Sequence, residues 1–157
     1  MSGPASYAVC LQILRPAKDN HMTHHHLQSR PETCHWGFFE AKLKPVLTID
    51  SGDEVTVDTI SGGPDVVPDK SKFHVPAELF EVHAKNERMV PGHILTGPIA
   101  VKGAMPGDVL EVDILDVKLR QDWGYNLIRP LAGTLPDDFH EVRLINKIGR
   151  ASCRERV

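Results

Sequence analysis

Apolar and polar residues alternate in two stretches of this chain, each entered through a Gly-Asp pair. Behind Gly52-Asp53, the segment Glu54–Asp58 places Val55 and Val57 on one face. Behind Gly107-Asp108, the segment Leu110–Ile114 places Leu110, Val112 and Ile114 on one face of its own. A period of two marks a half-buried β-strand. Gly tolerates the positive φ of a tight reversal and Asp bonds the backbone beside it, so Asp53 and Asp108 read as turn formers. A short apolar run precedes each turn, Val46–Ile49 and Ile99–Val101, and each unit is therefore predicted to be a hairpin. The two hairpins either pair within one sandwich, stand as related halves, or resemble each other by convergence. Helical signal is confined to Pro76–Ala84, with Pro at the first turn, acids early, and Leu79, Phe80 and His83 near one face. Twelve prolines and twelve glycines divide the rest into short strands and loops. The pattern predicts a mainly β fold, a β-sandwich built from hairpins with little helix.

Composition narrows the function classes. At 157 residues one domain is expected, large enough to bury a core. The formal charge of −3, with Lys and Arg scattered and no basic run interleaved with aromatics, argues against nucleic acid as a partner. No apolar stretch approaches the roughly 18 residues that span a bilayer. Cysteines stand at positions 10, 34 and 153 with no CxxC pair, which suits a reducing cytoplasm.

Both ends read as foreign to the domain. Residues 1–21 hold one weak apolar run, Tyr7–Leu14, without the basic start and longer apolar region of a secretory signal. Met22 reads as a native start, so 1–21 is expected to be a non-native extension and 22–146 the domain. Residues 147–157, with Cys153 and the terminal arginines, are expected to be an artefactual tail.

Three long ordered words carry a resemblance. They are Pro31–Phe39 (PETCHWGFF) with Pro45–Thr59 (PVLTIDSGDEVTVDT), His93–Asp116 (HILTGPIAVKGAMPGDVLEVDILD), and Gln121–Pro136 (QDWGYNLIRPLAGTLP). In that order they resemble the acetamidase/formamidase family, hydrolases that release ammonia from small linear amides, over roughly positions 22 to 140. The resemblance implies a small-molecule amide substrate and a homo-oligomer for the full-length form. It also implies a longer polypeptide, whose Gly-Gly-Asn-x-Asp and Gly-Asp-x-His stretches are absent here. The chain is accordingly expected to be the N-terminal part of a larger fold, possessing little or no activity alone.

Hydrolysis of an unactivated amide needs an activated water, a polarised carbonyl and a proton for the leaving amine, and a divalent metal with His and carboxylate ligands supplies the first two. The resemblance, in which an acidic residue followed by Thr is usual at Asp58-Thr59, makes Asp58 a candidate ligand or base; a turn-forming Asp is the alternative. His93 opens a loop before Thr96-Gly97-Pro98, where it can ligate a metal or relay a proton and Thr96 can bind an amide oxygen; stapling of the loop is the alternative. His35 lies between Cys34 and Trp36 and points away from Cys34 on a strand, which speaks against a Cys-His pair. The expected metal set, for zinc or calcium, is His35, Asp58 and His93, with His93, Asp58 and Thr96 catalytic. Trp36 and Trp123 are the candidates for substrate contact, an aromatic plug being the alternative for Trp123. In the run His24–His26, His26 is the member best placed for a role, though such a run binds metals weakly without function. No P-loop, GxGxxG, GxSxG or HExxH word is present, and Lys70-Ser71-Lys72 does not replace the Lys-Ser-Ser set of the other large amidase class. Two rivals remain: a non-catalytic β-sandwich binding or assembly module, and a copper-binding sandwich that lacks the expected Cys, His and Met ligand run.

Overall fold

The computed structural model describes residues 7–13, 22–90 and 92–148; the tail from 149 onward, with Cys153, lies outside them. The described chain is mainly β. Its elements run β1 (Tyr7–Ile13), β2 (His24–Leu27), β3 (Cys34–Trp36), β4 (Leu47–Ile49), β5 (Glu54–Asp58), α1 (Ala77–Lys85), β6 (Ile94–Thr96), β7 (Ile99–Val101), β8 (Val112–Leu119), β9 (Trp123–Ile128) and β10 (Arg143–Ile148). One four-stranded sheet has the order β2-β5-β1-β8, and three two-stranded sheets pair β3 with β6, β4 with β7, and β9 with β10. Among the described residues no helix is long and apolar enough to cross a membrane.

The Gly-Asp turns form as expected, but the strands they join do not pair with each other. In both turns the Asp carboxylate accepts the amide three residues back, Asp50 N to Asp53 at 3.0 Å and Met105 N to Asp108 at 2.9 Å. The amides of Asp53 and Asp108 close the reversals onto the carbonyls of Asp50 and Met105. Instead of two hairpins, the two units exchange partners. β4 pairs with β7 in parallel, Leu47 facing Ile99 and Ile49 facing Val101, while β5 and β8 both run antiparallel to β1. Burial explains the exchange. Ile49, with Leu47, Ile99 and Val101, forms a layer over Leu27, Val55 and Val57, and each fully buried aliphatic side chain contributes about 1.5–3 kcal/mol. A flat hairpin would leave that layer in solvent.

β1 belongs to the stretch set apart by the sequence as an extension, yet its backbone lies between β5 and β8. Cys10 faces Asp116 and Leu11 faces Ile114, which leaves Leu115 as an extra residue in β8. Such a bulge shifts the alternation by one. Val112 and Ile114 before it therefore share a face with Val117 and Leu119 after it, and this is the face that β4 and β7 cover on the β2–β5 side. On β8 it is open: Ile114 is 67% and Val117 50% exposed.

A second core gathers Cys34, Trp36, Ile60, Leu79, Val82, Ile94 and Trp123. The helix appears where expected, but its buried face is Leu79 and Val82, and Phe80 is exposed. Spacing of i and i+3 turns Leu79 and Val82 to the core and carries Phe80 one step off it. At the C-terminal end of the helix the Asn86 side chain donates to the carbonyls of Pro31 and Cys34, both at 2.8 Å, which ties α1 to β3.

The histidine run is used along β2, which lies parallel to β5. His24 bonds Thr56 at 2.9 Å, His25 bonds Asp53 at 2.9 Å, and His26 pairs with Asp58 at 3.1 Å. At Asp53 burial pushes the carboxyl up, but the His25 bond and the amides of Thr23 and Asp50 outweigh it, and the net shift is downward. A carboxyl depressed in the fold stabilises it above its unfolded value near 4 and loses that contribution as pH falls through the lower folded value. Asp53→Asn is therefore expected to lower stability at neutral pH and to flatten the acid limb of a denaturation series below about pH 4; an unchanged acid limb would remove Asp53 from this account.

Candidate active site

The short β3–β6 ladder connects two groups of polar side chains. Its pairs are Cys34 with Thr96, His35 with Leu95, and Trp36 with Ile94. Alternation buries Cys34 and Trp36 on one side and leaves His35 half-buried on the other. Cys34 and Thr96 end the ladder within a buried hydroxyl cluster; Trp36 and Ile94, with His93 next to them, end it at a cleft.

The cleft has a volume of about 140 Å³ and is walled by Trp36, Arg88, His93 and Tyr125, with Gly62, Gly63, Asp65 and Arg129 around them. Trp36 is fixed on every side. Its Nε1–H donates to the Gly92 carbonyl at 3.1 Å, the His83 ring stacks on it at 5.4 Å, and the Arg88 guanidinium stands 5.4 Å from the ring centre. His83 donates from Nε2 to the Gly62 carbonyl at 2.9 Å, which fixes its tautomer. Burial lowers its pKa, against the opposing pull of that carbonyl and Asp65, so the ring stacked on Trp36 is neutral at neutral pH. The opposite edge depends on two glycines. A Cβ on Gly37, whose φ is +92°, would stand 2.4 Å from the Val90 carbonyl oxygen, and one on Gly92 would stand 3.0 Å from the Gly37 Cα. This close approach lets the Gly37 amide donate to the His93 carbonyl at 3.0 Å. His93 is thereby held by its backbone while its side chain remains exposed at the cleft. Trp123 lies beneath the cleft, 1% exposed, its Nε1–H donating to the His74 carbonyl. It stacks on Tyr125, whose hydroxyl pKa is raised by burial and by Asp65.

Asp58 and Thr96 stand at the other end. The Asp58 carboxylate takes His26 on one oxygen at 3.1 Å and Arg120 Nε on the other at 3.6 Å. Arg120 continues to the Glu78 carboxylate and to the Thr59 carbonyl. Burial pushes the Glu78 carboxyl up, yet its own amide and Arg120 hold it below the usual range. Behind this network the fully buried Ser29 hydroxyl donates to the Asp58 carbonyl at 2.6 Å and bonds the Thr96 hydroxyl at 3.0 Å. Cys34 Sγ lies 3.7 Å from that same hydroxyl. Burial raises the Cys34 pKa against these hydrogen bonds, which keeps the sulfur as a thiol and makes it a poor nucleophile.

The residues named from the sequence thus divide. His93 and Trp36 meet at the cleft, with Trp123 under its floor. Asp58 and Thr96 share the buried network. His35 is drawn into its own loop, Nε2 bonding the Phe38 carbonyl at 3.1 Å. Among the described residues no group of three or more His, Cys, Asp or Glu side chains is placed to hold a metal ion. Both Asp58 oxygens already face cationic or imidazole partners, so His35, Asp58 and His93 do not fit a zinc or calcium centre by themselves. Arg88, Asp65 and Arg129 were not singled out in the sequence, and Tyr125 stands two residues from the candidate Trp123.

Comparison with known proteins agrees with this region. The sequence profile of the Acetamidase/Formamidase family matches residues 22–147. The chain is similar to a formamidase of Methylophilus methylotrophus, 58% identical over 36 residues, a match covering 22% of this chain and 9% of that protein. It is similar also to an acetamidase of Mycolicibacterium smegmatis, 45% identical over 47 residues, covering 24% of this chain and 12% of that protein. The matched stretches thus span about a tenth of each relative's length. No solved structure gives a significant match. The profile extends over most of the described chain and takes in both the cleft and the Asp58 network: the chain belongs to the acetamidase/formamidase family.

Proposed function

We propose that this chain contributes the substrate site of a hydrolase acting on formamide, acetamide and similar small linear amides. The observation that carries this reading is the size and lining of the cleft. A volume near 140 Å³ falls below the roughly 300–1,000 Å³ of sites for larger ligands and suits a molecule of a few heavy atoms. Formamide and acetamide fit that size. In the proposed reaction the Arg88 guanidinium, held over Trp36, donates to the amide oxygen and stabilises charge developing there. His93 accepts a proton from the attacking water and returns it to the departing nitrogen, so that one amide and one water leave as carboxylic acid and ammonia. Asp58, closed in by His26 and Arg120, is a positioning residue in this scheme, and no step passes through a metal. The cytoplasm is the proposed compartment, where Cys10 and Cys34, both free, stay reduced.

Ammonia release by the full-length form across formamide, acetamide, butyramide, benzamide and a peptide amide tests the size argument. Expected is a kcat/KM that is greatest for the first two and falls more than tenfold for benzamide; equal rates across the series would overturn it.

One observation favours a second reading, an assembly module. The open face of β8 presents Val112, Ile114, Val117 and Leu119 to solvent, and contiguous apolar patches of this kind mark contact surfaces. If a second copy covers it, as in a homo-oligomer, sedimentation will show association that rises with concentration and disappears in the Ile114→Lys, Val117→Lys double variant. Monomer at all concentrations would remove this reading.

A further inference from the structure

We infer that the cleft contains a carboxylate subsite between Arg88 and Arg129, occupied on its Arg129 side by the chain's own Asp65, and that it takes short monocarboxylates such as acetate or formate. The choice of these small acids rests on the small-amide reading; the subsite itself rests on three structural observations.

The first is that a carboxylate already sits there. Asp65 Oδ2 accepts from Arg129 Nη2 at 3.1 Å. The second is the bare floor beneath it. A Cβ on Gly63 would stand 2.6 Å from Asp65 Oδ1 and 3.6 Å from Arg88 Nη1, so both groups lie over a glycine that leaves them room. The third is charge. Two guanidinium groups line the cleft against the single carboxylate of Asp65, which gives it a local positive excess in a chain of formal charge −3. Such a concavity concentrates small anions, and guanidinium groups suit the planar carboxylate fork.

The Asp65–Arg129 pair is about half exposed on both sides. A pair so exposed is weakly held, and a free carboxylate competes with it easily. Asp65 then acts as an internal competitor. It neutralises Arg129 while the site is empty, and it returns when the acid product leaves.

Titration of the whole chain with sodium acetate at constant ionic strength, read by tryptophan fluorescence and calorimetry, tests this. Sodium chloride serves as the control. Expected is saturable acetate binding that tightens roughly fivefold in Asp65→Asn, the factor that loss of an exposed competing ion pair is worth. In Arg129→Met and in Gly63→Val it should weaken at least tenfold. Acetate affinity unchanged or weakened in Asp65→Asn, or chloride matching acetate, would overturn the subsite. Ammonia release by the full-length form separates the two ideas. Acetate binding without amide turnover defeats only the hydrolase reading, and turnover without acetate binding defeats only the subsite.

Discussion

Replacing Trp36 with alanine is expected to cost about 3–5 kcal/mol of folding stability. That is a large part of the roughly 5–15 kcal/mol that holds a domain of ordinary stability. The size follows from its position. Trp36 is 3% exposed, packs in the core with Leu79, Val82 and Ile94, and supports His83 on one face and Arg88 near its ring. Removing the indole opens a cavity, leaves the Gly92 carbonyl without its donor, and frees the guanidinium that the proposed reaction uses. Chemical denaturation of the variant should give a midpoint shifted by most of that amount. Trp36→Phe keeps a ring and loses the Gly92 bond, and it should recover more than half. A loss below about 1 kcal/mol would show that the indole is not packed as described.

His93→Ala should behave in the opposite way. The side chain is exposed and stands at the edge of the cleft, and among the described residues its ring makes no hydrogen bond of the kind by which His83 holds Gly62. Stability should shift by less than about 0.5 kcal/mol, as for other exposed substitutions. Activity of the full-length form on acetamide should fall by about 10²–10⁴, the contribution of a positioned acid–base group. The fall should appear in kcat rather than KM, because the proton transfer belongs to the transition state. Steady-state ammonia assays beside thermal unfolding separate the two effects. Retained turnover in a folded His93→Ala protein would remove His93 from the chemistry.

These two side chains were legible in the sequence for different reasons. Trp36 and His93 sit in long words whose order marked them, and local chemistry places them on a strand and on a glycine-bounded loop. The helix was legible from Pro76 and early acids, which are local signals, though its buried face was not, because Val82 rather than Phe80 meets the core. Both Gly-Asp turns were legible because Asp53 and Asp108 satisfy backbone amides within three residues. Strand partners were not. The pairing of β4 with β7 brings together residues fifty and more positions apart, and nothing in either segment distinguishes that partner from a neighbouring strand. The same limit hid the roles of Arg88 and Arg129. Arg88 stands in an unremarkable stretch and Arg129 inside a word marked only at its aromatic start, and only the fold brings them around Trp36. Asp58 shows the converse case: its family position marked it, and the structure supplies the partners, His26 and Arg120, that determine what its carboxylate can do.

The central claim is that small amides bind in the cleft beside His93. A titration of the isotope-labelled chain with acetamide, followed by amide and indole nuclear magnetic resonance, tests it most directly. The account predicts saturable shifts at the Trp36 indole N–H and at the backbone amides of Gly62, Gly63 and His93, with little change at Ser29 or Asp58. Shifts centred on Ser29, Asp58 and Thr96 with a silent Trp36, or no saturable shift at all, would contradict it.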